Sequence, residues 1–158
     1  MIAGNLKAYK SFLETKALAL TGVTKFIYGS AAKISNMSRS NTKFGYPLIH
    51  VCRPVVTSHD NGMGNITTVF YSEIACIGKL NKSGSAEDVE NDEMDVEDLT
   101  LSVLLEFERQ LRLAHRKGDI EFDAGVEIEP TLEKWIDAHT GWKMSCKIVL
   151  GANSGLCR

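Results

Sequence analysis

The segment Ile66–Leu80 most constrains the fold, because it is long, β-branched and aromatic, and apolar on both alternating faces. A strand with two apolar faces is covered on both sides, so this segment is predicted to lie at the centre of a sheet. Tyr46–Val56, with Pro47 and Pro54 near its ends, predicts a second strand. Residues 59–65 have turn-forming composition, so the two strands are predicted to form a hairpin.

Two segments have the three- and four-residue apolar spacing of amphipathic helices. Asn5–Leu20 is the first, with Asn5 as the expected N-cap and Gly22 as the expected stop. Asp95–Lys117 is the second and the stronger. Acids precede it, bases close it and Gly118 ends it, so both termini complement the helix dipole.

Four shorter segments complete the predicted secondary structure. Val23–Tyr28 is a short strand candidate, and Asp119–Glu129 alternates apolar and acidic residues as a half-exposed strand does. Thr131–Ile136 and Trp142–Leu150 are further strands, separated by a predicted turn at 137–141. The expected fold is α+β, with a mainly antiparallel sheet of about five to six strands and two main helices packed on it.

The length of 158 residues fits one domain spanning 1–158, and no internal repeat is present. Three segments are expected to lie outside regular structure. The first is a polar, flexible loop at about 30–44, the second an acidic loop at about 81–94, and the third a short C-terminal tail at 151–158. Long polar loops in small domains are often functional.

Composition and motifs argue against several classes. Hydrophobic residues are 44% and charged residues 24%, the usage of a soluble globular chain. No apolar run reaches the roughly 20 residues of a membrane span, and Met1–Lys10 does not resemble a signal peptide. No phosphate loop, GxSxG or HExxH motif occurs. We therefore expect no catalytic residue, no cofactor, no membrane partner, and a location in the cytoplasm of a cell or of an infected host.

The four cysteines are scattered, without CxxC spacing. We expect Cys52, Cys76 and Cys146 to be small buried apolar residues. The alternative is a metal site in which His50 and Cys52, two residues apart, share a strand face and are joined by His59 and Cys76. That spacing is unusual for zinc, so no metal is expected.

The charge is uneven. Residues 87–98 hold eight acids and no base, which leaves 18 bases against 12 acids elsewhere. A second acidic group lies on the outward face of the strand Asp119–Glu129. Its members Glu121, Asp123 and Glu127 are expected to face solvent, a channel or a subunit boundary.

At Tyr46-Pro47, Asp137 and Gly141-Trp142 the sequence resembles the small neck proteins of tailed bacteriophages, namely tail terminators, tail-completion proteins and head–tail joining ring proteins. The likeness lies in the order of elements over roughly Asn5 to Leu150. A helix and a variable loop precede a Tyr-Pro-Leu-Ile strand. A long strand, an acidic loop and a long helix follow, and the last strand begins after an Asp…Gly-Trp turn.

This resemblance implies a virion structural protein without enzymatic activity. It implies a homo-oligomeric ring of six or twelve copies at the head–tail interface, in contact with portal, adaptor or tail proteins. DNA would pass through its lumen as non-specific cargo. The alternative is a cytoplasmic α+β binding module or small enzyme unrelated to virions. Under the first interpretation, contact with a neighbouring subunit or neck protein is made either by the helix Asn5–Leu20 or by the loop at 30–44. The candidate residues of the loop are Ser35, Asn36, Arg39, Asn41 and Lys43.

Overall fold

Helices and a mixed sheet make up the fold, which confirms the α+β class. The computed structural model describes residues 4–40, 44–60, 66–80, 86–123, 125–131 and 139–151. Within these ranges the helices are α1 (Leu6–Leu18), α2 (Ala32–Ser40) and α3 (Ala86–Arg116). The strands are β1 (Lys25–Tyr28), β2 (Leu48–Val51), β3 (Val55–Asp60), β4 (Ile66–Lys79), β5 (Glu121–Phe122), β6 (Glu127–Pro130) and β7 (His139–Leu150).

The long strands β4 and β7 form the centre of the sheet and pair antiparallel from Thr68↔Leu150 to Lys79↔His139. The other edge of β4 carries β2 and β3 in succession, and the other edge of β7 carries β5 and β6. β1 lies outside β2 and runs parallel to it. The seven strands seen in the described residues exceed the five or six predicted, and the parallel pair makes the sheet mixed.

The strands beside β4 and β7 are each interrupted, and the two interruptions lie at about the same level along the sheet. Between β2 and β3, residues 52–54 lie opposite only Ser72 and Glu73 of β4. On the other side, four residues of the sequence separate Phe122 of β5 from Glu127 of β6, whereas only two residues separate their partners Ile148 and Ser145 of β7. Extra residues bend a strand away from its partner. The two strands predicted as continuous over 46–56 and 119–129 are therefore each broken in two, and the first continues to Asp60.

Helices α1 and α3 cover one face of the sheet, which we call the helical face. Its core contains Phe70 and Ile74 of β4 with Met144 and Ile148 of β7, all buried. Tyr9 of α1 stacks on Phe70 with ring centroids 4.4 Å apart. Such burial of aromatic and branched side chains is the main source of stability in a domain of this size.

The first helix has the predicted start. The Asn5 side chain accepts a hydrogen bond from the Ala8 amide at 2.8 Å, which satisfies one of the four unpaired amides of the first turn. Tyr9, Leu13 and Ala17 are buried at the expected four-residue spacing. The helix ends at Leu18, and Gly22 with φ of +90° provides the reversal that follows.

The third helix begins at Ala86, nine residues earlier than predicted. The prediction of an acidic loop at 81–94 is therefore wrong over 86–94, and residues 81–85 lie outside the described residues. Carboxylates near a helix N-terminus are stabilised by the helix dipole, so the acidic run favours this longer helix. The opposite end follows the prediction, because Gly118 has φ of +75° and follows a basic last turn.

The prediction of a loop at 30–44 is also wrong over most of its length, because Ala32–Ser40 forms helix α2. Ile34 is buried against Ile27 of β1 and Leu48 of β2, on the sheet face opposite α1 and α3. Burial of this apolar face stabilises a polar sequence as a helix, since tertiary contacts outweigh propensity in short helices.

The predictions for the C-terminal part of the chain are confirmed only in part. Trp142–Leu150 is strand as predicted, but β7 begins earlier, at His139, so the expected turn is wrong over 139–141. A Cβ on Gly141 would lie 2.0 Å from the Cys76 carbonyl oxygen, so only glycine permits the close approach of β7 to β4 there. The predicted strand at 131–136 lies outside the described residues beyond Thr131, as does the tail beyond Gly151.

Candidate functional site

The sheet face opposite α1 and α3 is only partly covered. α2 shields Ala75 and Ile77 at one end of β4, as predicted for a strand apolar on both sides. Tyr71 and Glu73, further back along β4, are exposed, and so is Val55 of β3 at 68%. We call this uncovered part the open face, and it is the first candidate site.

A groove of about 560 Å³ crosses the open face between the two strand interruptions. Its floor is formed by β4 and β7, and the bends in the flanking strands form its walls. Polar and charged side chains of both signs line it. The residues are Cys52, Arg53, Val55, Tyr71, Ser72, Glu73, Asp123, Gly125, Ser145, Cys146 and Lys147.

A three-residue charge cluster lies beside this groove. Lys143 of β7 is 3.2 Å from Glu73 and 3.1 Å from Glu129. The Lys143 ammonium donates hydrogen bonds to Glu129 and to Glu73, and these bonds raise the pKa of Lys143 because both carboxylates stabilise its charged form. The cluster joins β4, β7 and β6, so it acts as a cross-strand contact.

The three acids singled out from the sequence lie together at the β5–β6 side of the sheet, and all are exposed. Glu121 is opposite Val149 and Glu127 opposite Ser145, which places both on the open face. Asp123 lies in the interruption between the two strands and accepts a hydrogen bond from the Gly125 amide at 3.2 Å. Among the described residues, neither Glu121 nor Glu127 has a basic partner within 4 Å.

The opposite side of the sheet has a different character. β1 is the last strand there, and a second groove of about 490 Å³ follows it between α1 and α2. We call it the β1 groove. Residues from both helices and the strand contribute aromatic rings, a methionine and two lysines. The lining is Lys10, Glu14, Phe26, Ile27, Tyr28, Lys33 and Met37.

The residues expected in an interface loop are divided by the structure. Ser35, Asn36 and Arg39 belong to α2, and Asn36 is exposed. Asn41 and Lys43 lie outside the described residues. The expected contact loop is thus a helix over its first part, and that helix forms one wall of the β1 groove.

The cysteines and histidines do not form the metal site considered as an alternative. His50 lies opposite Ala75 on the face covered by α2, whereas Cys76 lies on the helical face. Burial raises the pKa of Cys76 and of Cys146 to about 12, as expected for small buried apolar residues. Cys52 is only half-buried. Within the ranges described above, no three His, Cys, Asp or Glu residues come close enough to hold a metal ion.

The residues that suggested a family resemblance make structural contacts that sequence reasoning missed. The Tyr46 hydroxyl and His139 Nε2 are 2.5 Å apart, which joins the segment before β2 to the start of β7. Trp142 Nε1 donates to the Glu97 carbonyl at 3.1 Å, and Thr140 donates to the Glu97 carboxylate at 2.9 Å. These bonds fasten α3 to the sheet. Spacing along the chain carried no signal for them, because the partners are 43 to 93 residues apart.

No protein-family model matches this chain, and no curated protein matches it. No helix in the described ranges is both long and apolar enough to cross a membrane.

Proposed function

We propose that this chain is a structural subunit of a tailed-bacteriophage virion, acting without catalysis. It assembles with copies of itself into a ring of six or twelve at the head–tail interface. The ring joins portal or adaptor to tail and lets DNA pass. The proposal rests on the resemblance at Tyr46-Pro47 and Gly141-Trp142 together with the observed order of helix, long strand, long helix and final strand.

The observation that supports it best is the surface left uncovered by one chain. Val55, Val56, Ile66 and Tyr71 lie in the β3–β4 hairpin, and each is at least 40% exposed. All six residues of β3 are exposed. An exposed apolar edge strand invites pairing with another chain, and proteins otherwise protect such edges. A subunit whose edge strand is covered by a neighbouring subunit does not need that protection.

The chemistry of the open-face groove fits a structural role. Burial raises the pKa of the Cys52 thiol, and the nearby Glu73 carboxylate raises it further. A protonated thiol is a poor nucleophile. Lys143, which is 3.2 Å from Glu73, is held by that carboxylate and by Glu129. These groups make contacts within the sheet rather than an activated pair.

The experiment is quantitative mass spectrometry and cryo-electron microscopy of particles from a phage that encodes this chain. We expect six or twelve copies per virion, located between head and tail, and separate heads and tails when the gene is deleted. Particles that lack the protein, or a deletion that yields normal virions, would overturn the proposal.

A further inference from the structure

The two sides of the sheet carry opposite charge. Residues 1–59 contain eight Lys or Arg and a single acid, Glu14. Of the 18 bases and 20 acids in the chain, residues 60–158 hold the other 10 and 19. The described strands show this division in space, because the order β1-β2-β4-β7-β5 places Lys25 of β1 at one side of the sheet and Glu121 of β5 at the other.

The basic side has a groove that can receive the edge of another sheet. The β1 groove lies along the last strand, with α1 on one side and α2 on the other. Lys10 and Lys33 stand on those two helices, and Lys25 lies in β1. The one acid of the groove, Glu14, is 3.6 Å from Lys10. Phe26 and Tyr28 provide partly buried apolar surface beneath the charges.

The acidic side carries the complementary charge. β5 and β6 are short strands bound to the rest of the sheet through β7. Glu121, Asp123 and Glu127 project from this side, exposed and without a described basic partner within 4 Å. Pro130 of β6 adds exposed apolar surface at the end of the same strand.

We propose that the β1 groove of one subunit receives the β5–β6 side of a second copy of this chain. Glu121, Asp123 and Glu127 then face Lys10, Lys25 and Lys33 across the boundary. The two surfaces differ, so the contact is heterologous, and repetition around an axis closes a ring. This inference rests on the self-assembly in the proposed function and assigns the three acids to a subunit boundary. Complementary potentials of this kind fix register and exclude wrong partners.

The test is a charge-reversal exchange. One variant carries Glu121→Lys, Asp123→Lys and Glu127→Lys, and a second carries Lys10→Glu, Lys25→Glu and Lys33→Glu. Each alone brings like charges together, so we expect self-association to weaken by at least about tenfold. An equimolar mixture restores opposite charges at every boundary when the two variants alternate, so assembly should return. Analytical ultracentrifugation at low ionic strength measures both effects, and circular dichroism confirms that each variant is folded.

Matched controls keep the net charge of the variants but move the changes elsewhere. Glu87→Lys, Asp95→Lys and Asp98→Lys alter exposed positions of α3 in place of the first set. Lys79→Glu, Arg116→Glu and Lys117→Glu replace the second. We expect both controls to assemble as the unmodified chain does.

The outcomes separate this inference from the proposed function. Restored assembly in the mixture supports the boundary even when the assembly is not part of a virion. An unmodified chain that forms rings, with both reversal variants assembling equally well, overturns the boundary and leaves the ring standing. A failure of the mixture to recover, or a folded chain that remains monomeric, also overturns it.

Discussion

Removal of one hydroxyl from Tyr9 tests how α1 is held on the sheet. The Tyr9 and Ser72 hydroxyls are 2.6 Å apart, in the interior between the helix and β4. Tyr9 is fully buried and Ser72 is 4% exposed. Burial raises the pKa of Tyr9, so its neutral form persists throughout the usual pH range.

Tyr9→Phe leaves the stacking on Phe70 in place but deprives Ser72 of this partner. A buried hydroxyl without a partner costs about 1–3 kcal/mol, whereas removal of both polar groups is much closer to neutral. We therefore expect Tyr9→Phe to lower the free energy of unfolding by that amount. For a chain of this length the midpoint falls by about 2–4 °C for each kcal/mol.

Urea denaturation, followed by circular dichroism, provides the free energies, provided the m-value is unchanged. Tyr71→Phe is the matched control, because Tyr71 is an exposed tyrosine of β4 next to Ser72, and the change in its free energy of unfolding should remain within about 0.5 kcal/mol. Ser72→Ala and the double variant Tyr9→Phe with Ser72→Ala complete a cycle whose coupling energy should be about 1–3 kcal/mol, because the double variant leaves neither hydroxyl without its partner. Additive effects would refute the direct bond.

Three further predictions concern the sheet. Gly141→Ala forces a Cβ against the Cys76 carbonyl and should lower the free energy of unfolding, measured by urea denaturation, by at least about 1–3 kcal/mol. Gly125→Ala is the control and should be nearly neutral. Equal effects of the two variants would contradict the close approach of β7 to β4. Burial lowers the pKa of His50, so its stabilising contribution is present above about pH 6.5 and is lost as the pH falls through the folded-state value. His50→Gln should flatten that part of the stability profile, and an unchanged slope would count against it. Cys52 should react with iodoacetamide in the folded chain faster than Cys76 and Cys146, as measured by peptide mapping; faster labelling of either buried thiol would show that the core has been misplaced.

The periodic spacing of apolar residues predicted much of the core correctly. Most of the apolar positions that mark the predicted stripes of Asn5–Leu20 and Asp95–Lys117 lie on the buried faces of α1 and α3, but Leu6 and Leu99 are about half exposed. The two-sided apolar pattern of Ile66–Leu80 correctly placed β4 next to the centre of the sheet. These patterns are visible because burial of a face repeats every 3.6 or 2 residues, whatever the partner.

Errors arose where local composition and tertiary contact disagree. Ala32–Ser40 contains serines and asparagine typical of a loop, but Ile34 fills a site between β1 and β2 that only the folded sheet provides. The acidic run before Asp95 resembled a solvated loop, although acids also suit the first turns of a helix. The break at 52–54 and the break between Phe122 and Glu127 depend on the partner strands, so the alternation of apolar and polar residues gives little sign of them.

The candidate site was only partly visible in sequence. Glu121, Asp123 and Glu127 were singled out by alternation, and they lie together on one side of the sheet. The β1 groove combines residues of α1, β1 and α2 that span 28 positions from Lys10 to Met37. No spacing rule connects such positions, so the groove and its complementarity to the acidic side emerge only from the fold.

The central claim is that this chain assembles with itself into a closed ring. Native mass spectrometry at low ionic strength tests it most directly. Six copies of a 17.4 kDa chain have a mass of about 104 kDa and twelve about 209 kDa. We predict one of these masses, with dissociation as salt screens the charged boundary. A single species of 17.4 kDa at every concentration and ionic strength would contradict the account.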